Sequence, residues 1–154
     1  MKRKVHVVIN PASGRPKPIL HILNQVFKQA DVDWDISLTK ARGDAERFAR
    51  EAAADGADVV AAFGGDGTVM EVAQGVLGSP VPLAIFPGGS ANLMAVELGI
   101  PKDLEKAADV AANLESPTRQ VDVCLLGEKT FLLRVGMGFS ARKVKDADRD
   151  LKER

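Results

Sequence analysis

The stretch Val59-Val60-Ala61-Ala62-Phe63-Gly64-Gly65-Asp66-Gly67-Thr68 decides the fold. Its first half is an unbroken apolar run, the pattern of a strand covered on both faces in a parallel sheet rather than one that alternates toward water. The second half switches at once to glycines around an aspartate. Thr68-Val69-Met70-Glu71 then has the Thr-x-x-Glu spacing of a capping box, which predicts a helix over Thr68 to Leu77. A buried strand, a glycine turn and a helix in immediate succession are the first parts of a βαβ unit.

The same alternation extends both ways along the chain. Val5 to Ile9 is short and β-branched, a strand. Pro18 to Ala30 places Ile19, Leu20, Ile22, Leu23, Val26 and Phe27 at helical spacing. Asp33 to Thr39 alternates Trp34, Ile36 and Leu38 with Asp35 and Ser37, a half-exposed strand. Asp44 is placed to cap a helix carrying Ala45, Phe48, Ala49 and Ala52 and ending at Gly56. Leu83 to Phe86 is another short strand. Ser90 is placed to cap a short helix ending at Gly99, with Pro101 blocking its continuation, and Asp103 caps a helix running to about Leu114. The fold class expected is therefore α/β, three layers, with a mostly parallel sheet between flanking helices.

The pattern changes after about residue 115. Val121 to Leu126, the turn Gly127-Glu128-Lys129 and Thr130 to Val135 predict two strands joined tightly. The expected organisation is an α/β domain over 1–118 and the beginning of a β-rich second domain over 119–154. The mostly charged segment from Arg142 to Arg154 is read as a solvated helix or frayed tail.

Composition excludes several classes of function. In 154 residues, 45% are hydrophobic and 27% charged, as in an ordinary folded domain. Lys+Arg and Asp+Glu are 21 each, so bulk charge does not recruit a polyanion. With no tyrosine and one tryptophan, stacking on nucleic-acid bases is poorly supplied, and no nucleic-acid partner is expected. Cys124 is the single cysteine, which rules out an internal disulfide; its apolar run predicts a buried small hydrophobe. No segment approaches the ~20 apolar residues of a membrane span, and the run Val5 to Ile9 is too short for a signal-peptide core, so a cytoplasmic chain is expected. His6 reads as structural, His21 as a surface residue and Trp34 as packing; neither histidine adjoins a loop nucleophile.

Three strand ends carry the chemistry. Asn10-Pro11-Ala12-Ser13-Gly14 follows Ile9, Gly64-Gly65-Asp66-Gly67-Thr68 follows Phe63, and Pro87-Gly88-Gly89-Ser90-Ala91-Asn92 follows Phe86. In a parallel sheet these loops share the carboxyl edge, where open α/β sheets bind ligands. Glycine lets the backbone approach a ligand, successive N–H groups form anion-attracting concavities, and helix N-termini add a favourable dipole. Ser13, Thr68 and Ser90 contribute hydroxyls. Taken singly, each loop is a tight strand-to-helix connection; three on one edge point to a phosphate-bearing ligand. Asp66 repels phosphate unless Mg²⁺ intervenes, or else it holds backbone N–H groups of the turn. Neither Gly-x-x-x-x-Gly-Lys-Ser/Thr nor Gly-x-Gly-x-x-Gly opening the first helix is present, so a nucleotide would be held differently.

At these loops the sequence resembles the diacylglycerol kinase catalytic-domain superfamily, which includes bacterial lipid kinases, sphingosine kinases and ceramide kinases. The matching pieces are Asn10 to Gly14, Gly64 to Thr68 with Glu71 following, and Pro87 to Asn92 running on to Leu98-Gly99-Ile100-Pro101. Thr39 ahead of Gly43-Asp44-Ala45 is similar to the family's second-strand exit, and the resemblance spans about residues 4 to 141. It implies an ATP-dependent kinase that phosphorylates a lipid hydroxyl, with a diacylglycerol-like acceptor, ATP and Mg²⁺ as cofactors, and peripheral membrane contact or a homodimer as further expectations. The residues implied at the nucleotide are Asn10, Pro11, Ala12, Ser13, Gly14, Thr39, Gly64, Gly65, Asp66, Gly67, Thr68, Val69, Met70, Glu71, Gly88, Gly89, Ser90 and Asn92, with Asp66 and Asp122 acting indirectly on the metal.

The chain departs from the family pattern at Leu93, where many relatives have Asp, at Met70, where many have Asn, and at Ser140 in Gly136-Met137-Gly138-Phe139-Ser140-Ala141, where the family has Asp. In the family a β-rich second domain supplies the general base, the main Mg²⁺ ligands and much of the lipid pocket. The expectation is thus nucleotide binding with little or no kinase activity from this stretch alone, and no catalytic base within it. The alternatives are an NAD-kinase-like enzyme, which shares Gly-Gly-Asp-Gly-Thr, and a non-catalytic nucleotide-binding module.

Overall fold

Period-two burial in the first strand sets the layers. In the computed structural model, which describes residues 2–14, 17–126 and 129–132, strand β1 (Lys4–Ile9) buries Val5, Val7 and Ile9 on one face of the sheet and turns His6 and Val8 to the other. Strands β2 (Asp33–Leu38), β3 (Val59–Gly64) and β4 (Leu83–Pro87) join it in the order β2-β1-β3-β4, all parallel. Every residue of β3 is buried, as its unbroken apolar run requires of a central strand. The α/β sheet with flanking helices is as the sequence pattern predicted.

The crossovers follow from handedness. From β1 the chain passes through α1 (Ile19–Gln29) outward to β2, then through α2 (Asp44–Ala54) back across β1 to β3, and through α3 (Asp66–Val76) onward to β4. Right-handed connections running in opposite directions put α1 on one face and α2 and α3 on the other. α5 (Leu104–Ala112) returns to the α1 face, where Leu23, Phe27, Leu104, Ala107 and Ala108 pack on Val7, Ala61 and Phe63 in the main core. The direction reverses between β1 and β3, the kind of switch point at whose carboxyl edge open α/β sheets bind ligands.

Helix starts differ from the sequence expectation at three places. Asp44 is the first residue of α2 and not its cap; Gly43, with φ +88°, occupies that position. The capping box does not form at Thr68, because α3 starts earlier, at Asp66, with Gly65 before it. Asn92, not Ser90, precedes α4 (Leu93–Glu97). Thr68 and Asp44 spend their side chains on loop contacts instead. Asp103 does cap α5, accepting the Lys106 N–H at 3.1 Å. Trp34 packs on Phe27 at 5.5 Å between ring centroids, as expected.

On the second face, α3 lies so close to α2 that Gly75 is required. A Cβ there would stand 2.3 Å from the Glu46 carbonyl oxygen and 2.6 Å from the Ala49 Cβ. Gly75→Ala gains about 1 kcal/mol of helix propensity, but overpacking against a backbone costs ~1–3 kcal/mol. The variant is therefore expected to be net destabilised, seen as a lower urea midpoint; an unchanged or higher midpoint would show that the helices separate freely.

His6 faces this side too, its Nε2 2.9 Å from Ser37 Oγ. Burial pushes its pKa below the ordinary value near 6.5, against the opposing pull of Asp35, Asp55 and Glu51. The unfolded chain then binds the proton more readily than the folded one. Stability is present above the unfolded value and falls as the pH drops through it toward the lower folded value. Denaturation of the wild type between about pH 7 and pH 5 is expected to show this slope, and His6→Gln is expected to flatten it. Equal slopes in both proteins would rule out a role for His6.

The chain divides into two units, Met1–Val121 and Asp122–Arg154. In the second, β5 (Cys124–Leu126) and β6 (Lys129–Phe131) pair antiparallel with Cys124 opposite Phe131. Cys124 is exposed, contrary to the buried hydrophobe that its apolar run suggested. A two-stranded hairpin buries little by itself, and among the described residues of this unit nothing further is stacked on it. The end of the predicted second strand, the Gly136–Ala141 stretch and the charged tail Arg142–Arg154 lie outside the described residues.

Candidate functional site

The β1 exit is tied to the β3 exit by Asn10. Its N–H donates to the Phe63 carbonyl at 2.9 Å, its Oδ1 accepts the Ala12 N–H at 3.0 Å, and its Nδ2 donates to Thr68 Oγ1 at 3.1 Å. The Asn10 carbonyl also takes the Ser13 N–H, closing the loop. Asn10 is therefore occupied in shaping the turn, while Pro11, Ala12 and Gly14 stay exposed and Ser13 partly so. Thr68 is buried and Val69 is in the core, so Val69 has only its backbone to offer a ligand.

Glycines bring the third loop against the other two. Gly14 has φ +73°, and a Cβ on it would stand 2.0 Å from the Gly88 carbonyl oxygen. A Cβ on Gly89 would stand 2.5 Å from the Gly65 Cα. The Gly88 N–H donates to the Gly64 carbonyl at 3.0 Å, continuing the β3–β4 ladder into the loops. The three exits thus touch backbone to backbone. Asn92 closes the third loop on itself, accepting the Gly89 N–H at 2.9 Å and donating to the Gly89 carbonyl at 2.7 Å. Its φ of +49° is a left-handed conformation that asparagine tolerates better than most residues. Ser90 is exposed beside it.

At the start of α3 the space stays open. A Cβ on Gly67 would meet nothing within 4 Å, and Gly65 carries no side chain to cap the helix. The first-turn amides of α3 have no carbonyl four residues back within the helix. Together with the helix dipole they form an anion-attracting end that adjoins the Gly65–Gly89 contact. Asp66, partly buried, accepts the Met94 N–H through Oδ1 at 3.3 Å and so links α3 to α4. This bond reaches α4 rather than the N–H groups of Asp66's own turn, and it leaves Oδ2 without a protein donor among the described residues. Among the described residues no three His, Cys, Asp or Glu side chains converge as a metal cage. One carboxylate suits Mg²⁺ where phosphate oxygens and waters complete the coordination. Asp122 is exposed and belongs to the Asp122–Arg154 unit.

The β2–α2 connection is held by two carboxylates that local spacing had assigned to capping. Glu71 accepts the Gly43 N–H at 3.0 Å, and Asp44 accepts the Lys40 and Ala41 N–H groups at 2.8 and 2.9 Å. Those backbone donors, with Arg47, keep the Asp44 carboxyl below its ordinary range. Thr39 is fixed by its N–H to the Ile9 carbonyl at 2.9 Å. Met70 is half-buried on α3 beside Glu71. Asp44 is the residue the sequence reading assigned to a different task; its position four residues after Lys40 was the available signal. On the α1 face, a hollow of about 470 Å³ opens between the β1 exit and the end of β2, lined by Ser13, Gly14, Lys17, Leu20 and Leu38 among others.

A family model for the diacylglycerol kinase catalytic domain matches residues 4–126. The chain belongs to the diacylglycerol kinase catalytic-domain family. It is 35% identical over 142 residues to "Diacylglycerol kinase" of Bacillus subtilis, covering 88% of this chain and 46% of the relative. It is 32% identical over 150 residues to "Probable lipid kinase YegS-like" of Klebsiella pneumoniae, covering 95% of this chain and 50% of the relative. A crystal structure titled as a diacylglycerol kinase from Bacillus anthracis superposes with a TM-score of 0.68 at 34% identity, over 79% of this chain and 46% of that one. The chain therefore spans half or less of these kinases, and the matched family segment contains all three glycine loops.

Proposed function

We propose that this kinase-family domain grips the phosphate chain of ATP or ADP at the carboxyl edge of its sheet, as the nucleotide-holding part of an enzyme that phosphorylates a lipid hydroxyl. The observation that carries the reading is the contact of Gly14 with Gly88 and of Gly65 with Gly89, which gathers three strand exits beside the open N-terminus of α3. The backbone from Asn10 to Gly14, Gly65 to Thr68 and Gly88 to Ser90 is assigned to the phosphates, and Thr39 with the loop held by Glu71 to the remainder of the nucleotide. Asn92 and Asn10 act by fixing the loops. Mg²⁺, held by phosphate oxygens and water with Asp66 facing it, would neutralise phosphate charge. The acceptor is assigned to the diacylglycerol-like class on the strength of the relatives' names, and the chain to the cytoplasm, where ATP is available.

Phosphoryl transfer needs in-line positioning, charge neutralisation and a group that orients the attacking hydroxyl. The described residues offer the first in part. We accordingly assign binding, and little or no transfer, to this stretch by itself. Calorimetric titration with ADP, with and without Mg²⁺, tests the reading. Saturable binding strengthened by Mg²⁺ is the expected result; no heat at millimolar nucleotide would overturn it.

A further inference from the structure

The β2 exit differs in kind from the other three. From Thr39 to Asp44 every backbone N–H except that of Arg42 is taken up within the protein. Thr39 donates to the Ile9 carbonyl, Lys40 and Ala41 to Asp44 Oδ2, Gly43 to Glu71 Oε2, and Asp44 to the Ala41 carbonyl. The two side-chain acceptors are carboxylates, Asp44 at the start of α2 and Glu71 in α3. Asp44 is partly buried, and its second oxygen, Oδ1, accepts from the Arg47 guanidinium at 3.2 Å. Both of its oxygens are thus occupied by this chain.

A phosphate needs donors and is repelled by carboxylates. This exit therefore does not extend the anion-attracting end of α3. It presents instead the hydroxyl of Thr39, which is half-buried and has no protein partner among the described residues. Leu38 is in register with Ile9, so Thr39 comes level with Asn10 at the carboxyl edge. The part of a ligand that suits such an exit is uncharged and brings its own hydroxyl or amino groups. A nucleoside has these and a polyphosphate tail does not.

We propose that Asp44 is a positioning residue for ligand selection: by holding the Lys40 and Ala41 amides it fixes the connection that meets the nucleoside, and so makes the site prefer a nucleoside polyphosphate to a bare polyphosphate. The inference rests on the nucleotide reading and deepens it. Asp44 touches no ligand and acts through the backbone that it holds. The connection from Thr39 to Gly43 contains no helix or strand. Without Asp44 it would be anchored only at its two ends, by Ile9 and by Glu71. Binding would then have to order the chain between them, which lowers affinity for the nucleoside portion alone.

Calorimetric titration of the wild type, Asp44→Ala and Asp44→Asn with ADP and with inorganic tripolyphosphate, both with Mg²⁺, tests this. Asn keeps an oxygen acceptor but removes the charge, so it separates the loop hydrogen bonds from the favourable effect of an acid at a helix N-terminus. Asp44→Ala is expected to weaken ADP binding roughly ten-fold and to leave tripolyphosphate binding unchanged. Asp44→Asn is expected to recover ADP binding to within about three-fold of the wild type. Glu71→Ala, which releases Gly43 at the other end of the connection, is expected to show the same split between the two ligands, and it carries the test if Asp44→Ala does not fold. Equal losses for both ligands together with a lower urea midpoint would reduce Asp44 to a structural role and overturn the proposal. Unchanged ADP affinity in Asp44→Ala, or an Asn variant as weak as the Ala variant, would overturn it too. A wild type that binds tripolyphosphate as tightly as ADP would leave the phosphate site standing and remove this inference alone. A wild type that binds neither ligand would mark failure of the nucleotide reading, and the inference would fall with it.

Discussion

Gly14→Val is expected to destabilise the domain by about 3 kcal/mol or more, seen as a large drop in the urea midpoint and lost protection of the β1 and β4 amides from hydrogen exchange. Two independent terms add. The residue sits at φ +73°, where a β-branched side chain is strained by ~1–3 kcal/mol. Its Cβ would also stand 2.0 Å from the Gly88 carbonyl oxygen, a backbone atom that cannot swing aside as a side-chain end can. Overpacking of this kind costs another ~1–3 kcal/mol. Relief can come only by parting the first and third loops. A variant with wild-type stability would mean that these loops do not touch, and the convergent site would be lost with them.

Gly65→Val separates ligand from fold and is expected to weaken ADP binding by roughly 10–100-fold, the equivalent of one charge-assisted hydrogen bond. Gly65 has φ −85° and ψ −174°, extended backbone that valine adopts readily. A Cβ there would meet only the Gly89 Cα, at an ordinary 3.6 Å. Stability should therefore change little, because what the side chain occupies is the space beside the α3 amides. Titration calorimetry and a melting curve on the same sample give both quantities. Unchanged affinity would remove the α3 N-terminus from the nucleotide site. The contrast with Gly14 matters, since both glycines stand in matching motifs and only one is demanded by packing.

How far the sequence carried depends on what kind of signal each residue sends. Val59 to Phe63 was legible because a strand covered on both faces needs every position apolar. The α1 stripe was legible because burial on one face imposes its period, and Asp103 because its cap bond is three residues away. The capping box at Thr68 and Glu71 was misread for the converse reason. Thr68 spends its hydroxyl on Asn10, 58 residues distant, and Glu71 its carboxylate on Gly43, 28 residues away. Local spacing contains no trace of such partners. Cys124 was misread because an apolar run reports the wish to be covered and not whether a neighbouring layer covers it.

Sequence by itself determined the layer architecture and that three glycine-bearing strand exits share one edge, because hydrophobic periodicity and the handedness of crossovers leave few alternatives. Tertiary structure alone decided that Gly14 rests on Gly88 and Gly89 on Gly65, that Asp66 holds α4, and that Leu20 and Leu38 stay in water. Those are contacts, or missing contacts, between residues distant along the chain, and close approach in space depends on how the whole sheet twists and packs rather than on any residue's immediate neighbours.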